Sequence, residues 1–222
     1  IKALKILREE LGDDEVVYAW VEAPFQESAM LRGLSPMMTD LYEQPALIHE
    51  LMRFSLEMEL AFGLAQIEAG ARFIGVGDAI ASLVSPNHYR EFNLPYIAEL
   101  IAGLKKAGAR VKYHACGRTQ ALLPDFAALG ADIINWESLI DLGEAKQILG
   151  GKTCIKGNLD PSALLLQGTP DEIYAAACAA IRIAGENGGF ILSPGCEVPR
   201  DTPYENLEAL IRAAHTCGAY AE

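Results

Sequence analysis

Three observations predict an α/β fold of the (β/α)8 barrel type. Short apolar runs alternate with amphipathic stretches along the whole chain, which calls for a parallel sheet with helical crossovers. The runs are brief and bounded by Gly, Asp or Pro, as strands are. Residues able to do chemistry stand at the ends of several different runs, and a barrel gathers its active site at such ends.

The strand candidates are Val16–Glu22, Arg72–Gly77, Ala109–His114, Asp132–Trp136, Thr153–Gly157 and Gly189–Ser193. Helices are predicted at Pro45–Ala69, Pro86–Ala107, Thr119–Leu129, Leu142–Leu149, Pro170–Asn187 and Pro203–Cys217. Ser85-Pro86, Thr169-Pro170 and Thr202-Pro203 each read as an N-cap followed by proline at the first helical position. Gly130 and Gly188 read as helix stops. About six strands are fewer than the eight of a closed barrel. Two raw sheet edges would be a liability. Residues 1–222 are therefore expected to form a single partial barrel domain that lacks its N-terminal strands or has the gap covered by a partner. No linker, low-complexity segment or internal repeat interrupts it.

The 222 residues are 51% hydrophobic, enough for a sizeable core. A net charge of −12 argues against nucleic acid and anionic membranes as partners. No apolar run is long enough to span a bilayer, and no signal peptide is recognisable at the start. Such a balance fits a cytoplasmic enzyme, monomeric or homo-oligomeric. Five cysteines do not form a disulfide framework in a chain of this size. Cys154, Cys178 and Cys217 are expected to be small buried apolar groups. Trp20 and Trp136 are expected in the core, and His49, His88 and His215 on helix surfaces or in packing.

The residues with most chemical content are His114, Cys116 and Cys196. His114 and Cys116 lie two apart in Tyr113-His114-Ala115-Cys116-Gly117, so an extended strand turns both to one side and Tyr113 to the other. Cys196 stands in Ser193-Pro194-Gly195-Cys196-Glu197 at the end of another strand. One imidazole and two thiolates make a zinc set, and three ligands leave a position open for chemistry. Structural zinc sites use two short ligand pairs; here one pair is His-x-Cys and the last ligand is distant. The competing reading is a satisfied core histidine and two unrelated thiols.

Several stretches resemble the uroporphyrinogen decarboxylase superfamily of (β/α)8 barrels. They are Asp78-Ala79-Ile80-Ala81-Ser82-Leu83-Val84-Ser85-Pro86 with Tyr89-Arg90-Glu91-Phe92, then Lys156-Gly157-Asn158-Leu159-Asp160-Pro161, then Gly195-Cys196-Glu197-Val198-Pro199 with Thr202-Pro203-Tyr204-Glu205-Asn206. The resemblance covers nearly the whole chain and the later two-thirds of the family pattern. Within the superfamily the chain is more similar to the corrinoid-dependent methyltransferases, among them the methylcobamide:coenzyme M methyltransferases. These carry zinc on a His-x-Cys…Cys pattern, met here by His114, Cys116 and Cys196. Decarboxylases of the family typically have His where Cys196 stands. Cobalamin-independent methionine synthases resemble the layout as well and add a Glu ligand after the next strand, a place held here by Glu137. Glu137 could equally be a solvated carboxylate opening a loop.

The resemblance implies a zinc cofactor, a methylcorrinoid donor presented by a corrinoid protein, and a small acceptor: a thiol such as coenzyme M, or a folate. Glu197 stands where coenzyme M enzymes commonly have a small residue, which leaves the acceptor open. Asp78, ending its strand, is read either as binding a substrate amine or hydroxyl, as orienting a zinc ligand from behind, or as an N-cap. Asn158 is read as a substrate contact or a turn stabiliser. The runner-up activity is tetrapyrrole decarboxylation, which needs no metal. A third is a non-catalytic zinc-binding or corrinoid-docking module.

Overall fold

Strands β1 (Tyr18–Glu22), β2 (Phe73–Asp78), β3 (Arg110–Ala115), β4 (Ile133–Asn135), β5 (Cys154–Leu159) and β6 (Phe190–Pro194) occur at the six predicted places. They follow chain order in a parallel sheet, as helical crossovers dictate. The computed structural model describes residues 1–12 and 15–218. These divide into two compact units, Ile1–Gly117 with Pro124–Asp132, and Arg118–Leu123 with Ile133–Glu222.

In the first unit, β1 pairs with β2 in the register Trp20↔Gly75 and Glu22↔Gly77, and β2 with β3 in the register Gly77↔His114. Ile74 and Val76 of β2 and Val111 and Tyr113 of β3 are fully buried. They face the helices α4 (Pro45–Glu68) and α6 (Leu94–Lys106), whose apolar faces supply Ile48, Met52, Leu56, Ile97 and Leu100. Helices α1 (Lys2–Leu11), α2 (Pro24–Arg32) and α3 (Leu34–Glu43) were not expected. α2 carries no continuous apolar stripe, and its buried residues include Ser28 beside Phe25 and Ala29, so periodicity gave no sign of it.

The helix expected over Pro86–Ala107 is three pieces: α5 (Pro86–His88), a π-turn at Tyr89–Asn93, and α6. Pro95 explains the break, since its ring lacks an N–H and crowds the preceding turn. Ser85 does cap, accepting from the His88 N–H at 3.2 Å. Trp136 is fully buried, but Trp20 is only half-buried and lies on the other side of β1 from Ala19 and Val21, which corrects its assignment to the core.

In the second unit, β4 pairs with β5 (Asn135↔Lys156) and β5 with β6 (Asn158↔Ser193). α8 (Leu142–Leu149), α9 (Pro170–Ala184) and α10 (Tyr204–Cys217) are this unit's helices, while α7 (Leu123–Ala128) falls, from Pro124 on, in the first unit. Thr169 and Glu172 form a capping box at the start of α9. Thr202 does not cap α10: it is buried in a turn whose N–H bonds the Pro199 carbonyl, and the helix opens at Tyr204. α9 ends at Ala184, so Gly188 lies beyond the stop.

The cysteine reading needs one correction. Cys178 and Cys217 are joined by a disulfide, with Cα atoms 5.4 Å apart. They sit on neighbouring faces of α9 and α10, and a sequence separation of 39 hides that proximity. Cys116, Cys154 and Cys196 take no part in a disulfide.

Candidate functional site

In the first unit the site begins with the alternation of β3. Val111, Tyr113 and Ala115 face the helices, leaving Lys112 and His114 on the opposite side. His114 is buried, and its Nε2 lies 3.1 Å from Cys116 Sγ. The Cys116 N–H bonds the Asp78 carbonyl at 3.2 Å, which continues the strand ladder one residue past β3. Gly117 then turns the chain at φ +80°, where a Cβ would run into the Ser82 hydroxyl.

Asp78 shares its side of β2 with Ile74 and Val76, so its carboxylate faces the helices and is fully buried. Asn93 Nδ2 donates to it at 2.6 Å and the Tyr113 hydroxyl at 2.9 Å, with the Tyr89 hydroxyl 3.2 Å behind. Burial pushes its pKa up to about 6, against the lowering effect of those donors and of the Ile80 and Ala81 backbone. Tyr113 and Tyr89 are pushed well above the usual phenol value by the same burial. Asp78 therefore touches the thiol-bearing turn through its backbone, not its side chain.

A second acidic group in this unit carried no sequence signal. Glu59 of α4 is buried, accepts the Glu22 N–H at 3.2 Å, and is pushed up to about 7 by desolvation, with Glu27 and Glu22 adding to the rise. One Glu among the four of a long helix reads as a solvated residue until its strand partner is known.

In the second unit the loop after β4 opens with Glu137. The Asn158 amide holds it, donating to the Glu137 carbonyl at 3.2 Å and the Ile140 carbonyl at 2.8 Å. Gly195 lies flat on the same loop. A Cβ there would stand 2.8 Å from Ser138 N, 2.9 Å from the Trp136 carbonyl and 3.0 Å from Glu137 Cα. Asn135 Nδ2 fixes the Gly195 carbonyl at 3.2 Å, and the Gly195 N–H bonds the Leu159 carbonyl at 2.8 Å. Cys196 follows directly, so its thiol and the Glu137 carboxylate are delivered to one place, with ligand atoms no more than 4.8 Å apart.

Lys156 opens the Lys156-Gly157-Asn158 stretch on β5. Its ammonium lies on the Asn135 and Asn158 side of the sheet, bonded to the Ser193 hydroxyl and, at 3.4 Å, to Asn135 Oδ1. Burial lowers its pKa. Its place two residues before Asn158 on a strand was the available signal.

Two soft thiols, an imidazole and a carboxylate are the donor types zinc takes. In each unit the structure pairs two of the predicted ligands: His114 with Cys116, and Glu137 with Cys196. The Asn158 side chain holds the Glu137 loop, and Asp78 meets the Cys116 turn through its main-chain carbonyl.

The chain is 32% identical over 220 residues to the methylcobamide:CoM methyltransferase MtaA of Methanosarcina barkeri, covering 96% of this chain and 62% of that protein. It is 31% identical over 180 residues to the uroporphyrinogen decarboxylase of Aromatoleum aromaticum, covering 80% and 50%. It thus spans less than two-thirds of the length of these relatives. A solved methyltransferase from Methanosarcina mazei superposes with a TM-score of 0.88 at 26% identity, covering 98% of this chain and 64% of that one. A B12-independent methionine synthase from Shewanella sp. W3-18-1 shares the fold, with a TM-score of 0.65 at 15% identity. The uroporphyrinogen decarboxylase (URO-D) family profile matches residues 1–217. From the parallel strands, the motifs and these matches together, the chain belongs to the uroporphyrinogen decarboxylase family of α/β-barrel proteins.

Proposed function

We propose that the full-length protein is a zinc-dependent methyltransferase. It takes a methyl group from a methylated corrinoid, presented by a corrinoid protein, and gives it to a small acceptor, a thiol such as coenzyme M or a folate. The observation that carries this reading is the donor set. Each unit brings two of the donors together: His114 Nε2 lies 3.1 Å from Cys116 Sγ, and the ligand atoms of Glu137 and Cys196 stand within 4.8 Å. Donors around a tetrahedral zinc, with bonds of about 2.0–2.3 Å, stand roughly 3.3–3.8 Å apart, a spacing that small side-chain rotations give within either pair.

When bound, zinc would stabilise the acceptor thiol as its thiolate, nucleophilic at neutral pH. Cys116 and Cys196 supply negative charge that keeps such a sulfur electron-rich. His114 offers Nε2, the nitrogen on the Cys116 side. Glu137 would offer a carboxylate oxygen to the acceptor's thiol proton, and Asn158 and Gly195 hold the loop that carries it. The acceptor sulfur supplies the electron pair of the new S–C bond, and cobalt keeps the pair of the broken one.

The uroporphyrinogen decarboxylases among the relatives support a second reading, tetrapyrrole decarboxylation. That chemistry leaves the thiolate pair without a use. The experiment is the cobalt spectrum of methylcobalamin with full-length, zinc-loaded protein. Demethylation should appear only when acceptor is titrated in. Release of carbon dioxide from uroporphyrinogen, with no demethylation by any thiol or folate, would establish the decarboxylase. Bound zinc with neither reaction would indicate a docking module.

A further inference from the structure

The two sulfurs of the Cys178–Cys217 bridge are not equally open to attack. Cys178 is 4% exposed and lies on the buried stripe of α9 with Ile173, Ala177 and Ala184. Cys217 ends α10, is half-buried, and lines a groove of ≈ 630 Å³ between α9, β6 and α10 that Cys178 does not border. A thiolate opens a disulfide by attacking one sulfur while the other leaves with the bonding pair, so access decides which is attacked. The groove gives that access to Cys217 Sγ.

The helices have other contacts to hold them when the bridge is open. The Tyr174 hydroxyl lies 2.9 Å from Thr216 Oγ1, and the Arg212 guanidinium sits 5.2 Å over the Tyr174 ring. Ala177 and Ala180 of α9 and Ala209 and Ala213 of α10 are buried. The groove thus keeps its walls through an exchange. Its volume is in the range of small-molecule sites. Ile181, Phe190 and Leu192 make it apolar inside, and exposed Arg182 and Glu186 put opposite charges on it. A guanidinium suits a carboxylate and a carboxylate suits an ammonium, so the groove fits a small thiol of peptide type that carries both.

We infer that Cys217 is a modification site, where a small zwitterionic thiol exchanges with the bridge and stays as a mixed disulfide. The thiolate forms a bond to Cys217 Sγ, the Cys217–Cys178 bond breaks, and Cys178 leaves with the electron pair. The proton lost by the attacking thiol ends on Cys178. One thiol therefore gives one mixed disulfide and one new thiol, and the bridge itself supplies the oxidised sulfur. Buried structural thiols are inert, so Cys178 is slow to expel the adduct. Phe190 opens β6 and Cys196 follows its end, so this groove is distinct from the Glu137–Cys196 pair and does not depend on the methyl-transfer reading.

The alternative is a purely structural bridge, opened only when the helices separate. Exchange would then follow unfolding and fall on both sulfurs. The experiment incubates oxidised, zinc-loaded full-length protein with glutathione under native conditions. The sample is quenched in acid, free thiols are alkylated, and peptides are mapped by mass spectrometry. The adduct should lie on Cys217 and the alkyl group on Cys178, with a preference of about tenfold or more over the reverse pattern, since access selects the sulfur. Glutathione should react faster than mercaptoethanol at equal thiolate concentration. Arg182→Ala with Glu186→Ala should remove that advantage without moving the adduct. Equal labelling of both sulfurs, or no adduct until denaturant is added, overturns the site. Equal rates for the two thiols in the wild type overturn the assignment to a zwitterionic thiol.

Discussion

The backbone N–H of Cys116 donates to the carbonyl oxygen of Asp78 across 3.2 Å. The thiol-bearing turn thus hangs from the end of the neighbouring strand. Asp78 is in turn fixed by Asn93 and Tyr113 on the helix side. Asp78 meets that turn through its main chain while its carboxylate faces the helices.

Zinc should be present at about one ion per full-length chain, since thiolate and imidazole ligands bind it tightly at neutral pH. Cys116→Ala and Cys196→Ala should each lower that content sharply by elemental analysis. Cys154→Ala, which removes a half-buried thiol outside the donor set, should leave it unchanged. Full zinc retention in both of the first two variants would sink the ligand assignment.

Asn158→Ala should loosen the Glu137 loop. Two backbone carbonyls lose their donor, for a cost of about 1–3 kcal/mol. Urea unfolding should report that loss, and zinc should pass to a chelator faster than from the wild type. An unchanged transfer rate would mean that the loop holds itself without the amide.

Glu59 should give stability a pH dependence. Its folded pKa, about 7, lies above its ordinary value of 4.5. The folded state therefore holds the proton more tightly than the unfolded chain does. The resulting stability is fully present below pH 4.5 and is lost as pH rises through 7, by at most about 3 kcal/mol. Glu59→Gln keeps an oxygen for the Glu22 N–H and should flatten this part of the profile. An identical slope in the variant would place the titration elsewhere.

Cys217→Ser should lower the stability of oxidised protein by about 2–4 kcal/mol, the usual effect of opening a disulfide loop of this size. Melting curves with and without reductant make the comparison. Reductant should bring the wild type down to the variant and leave the variant where it was. No difference between the two in oxidising buffer would contradict the bridge.

All six strands were legible because each is a short apolar run stopped by Gly, Asp or Pro, and the His114–Cys116 pair followed from strand alternation. Three kinds of information were not legible. Helix α2 has no periodic stripe. The break at Tyr89–Asn93 depends on one proline inside an otherwise continuous helical pattern. The Cys178–Cys217 pairing depends on how two helices lie together, which no local spacing encodes. At the site, the residue types pointed to zinc. That Asp78 faces the helices required knowing which of its neighbours on β2 are buried, and the supporting role of Asn158 required the path of the loop after β4.

The bridge between α9 and α10 also makes a covalent ring of the chain from Cys178 to Cys217, and β6 and Cys196 lie inside it. The exposed turn at Arg200 and Asp201 lies in the same ring. A protease cutting after Arg200 would open the main chain without releasing either piece. The segment bearing Cys196 would stay tethered to α10, and the nick would become visible on a gel only under reducing conditions.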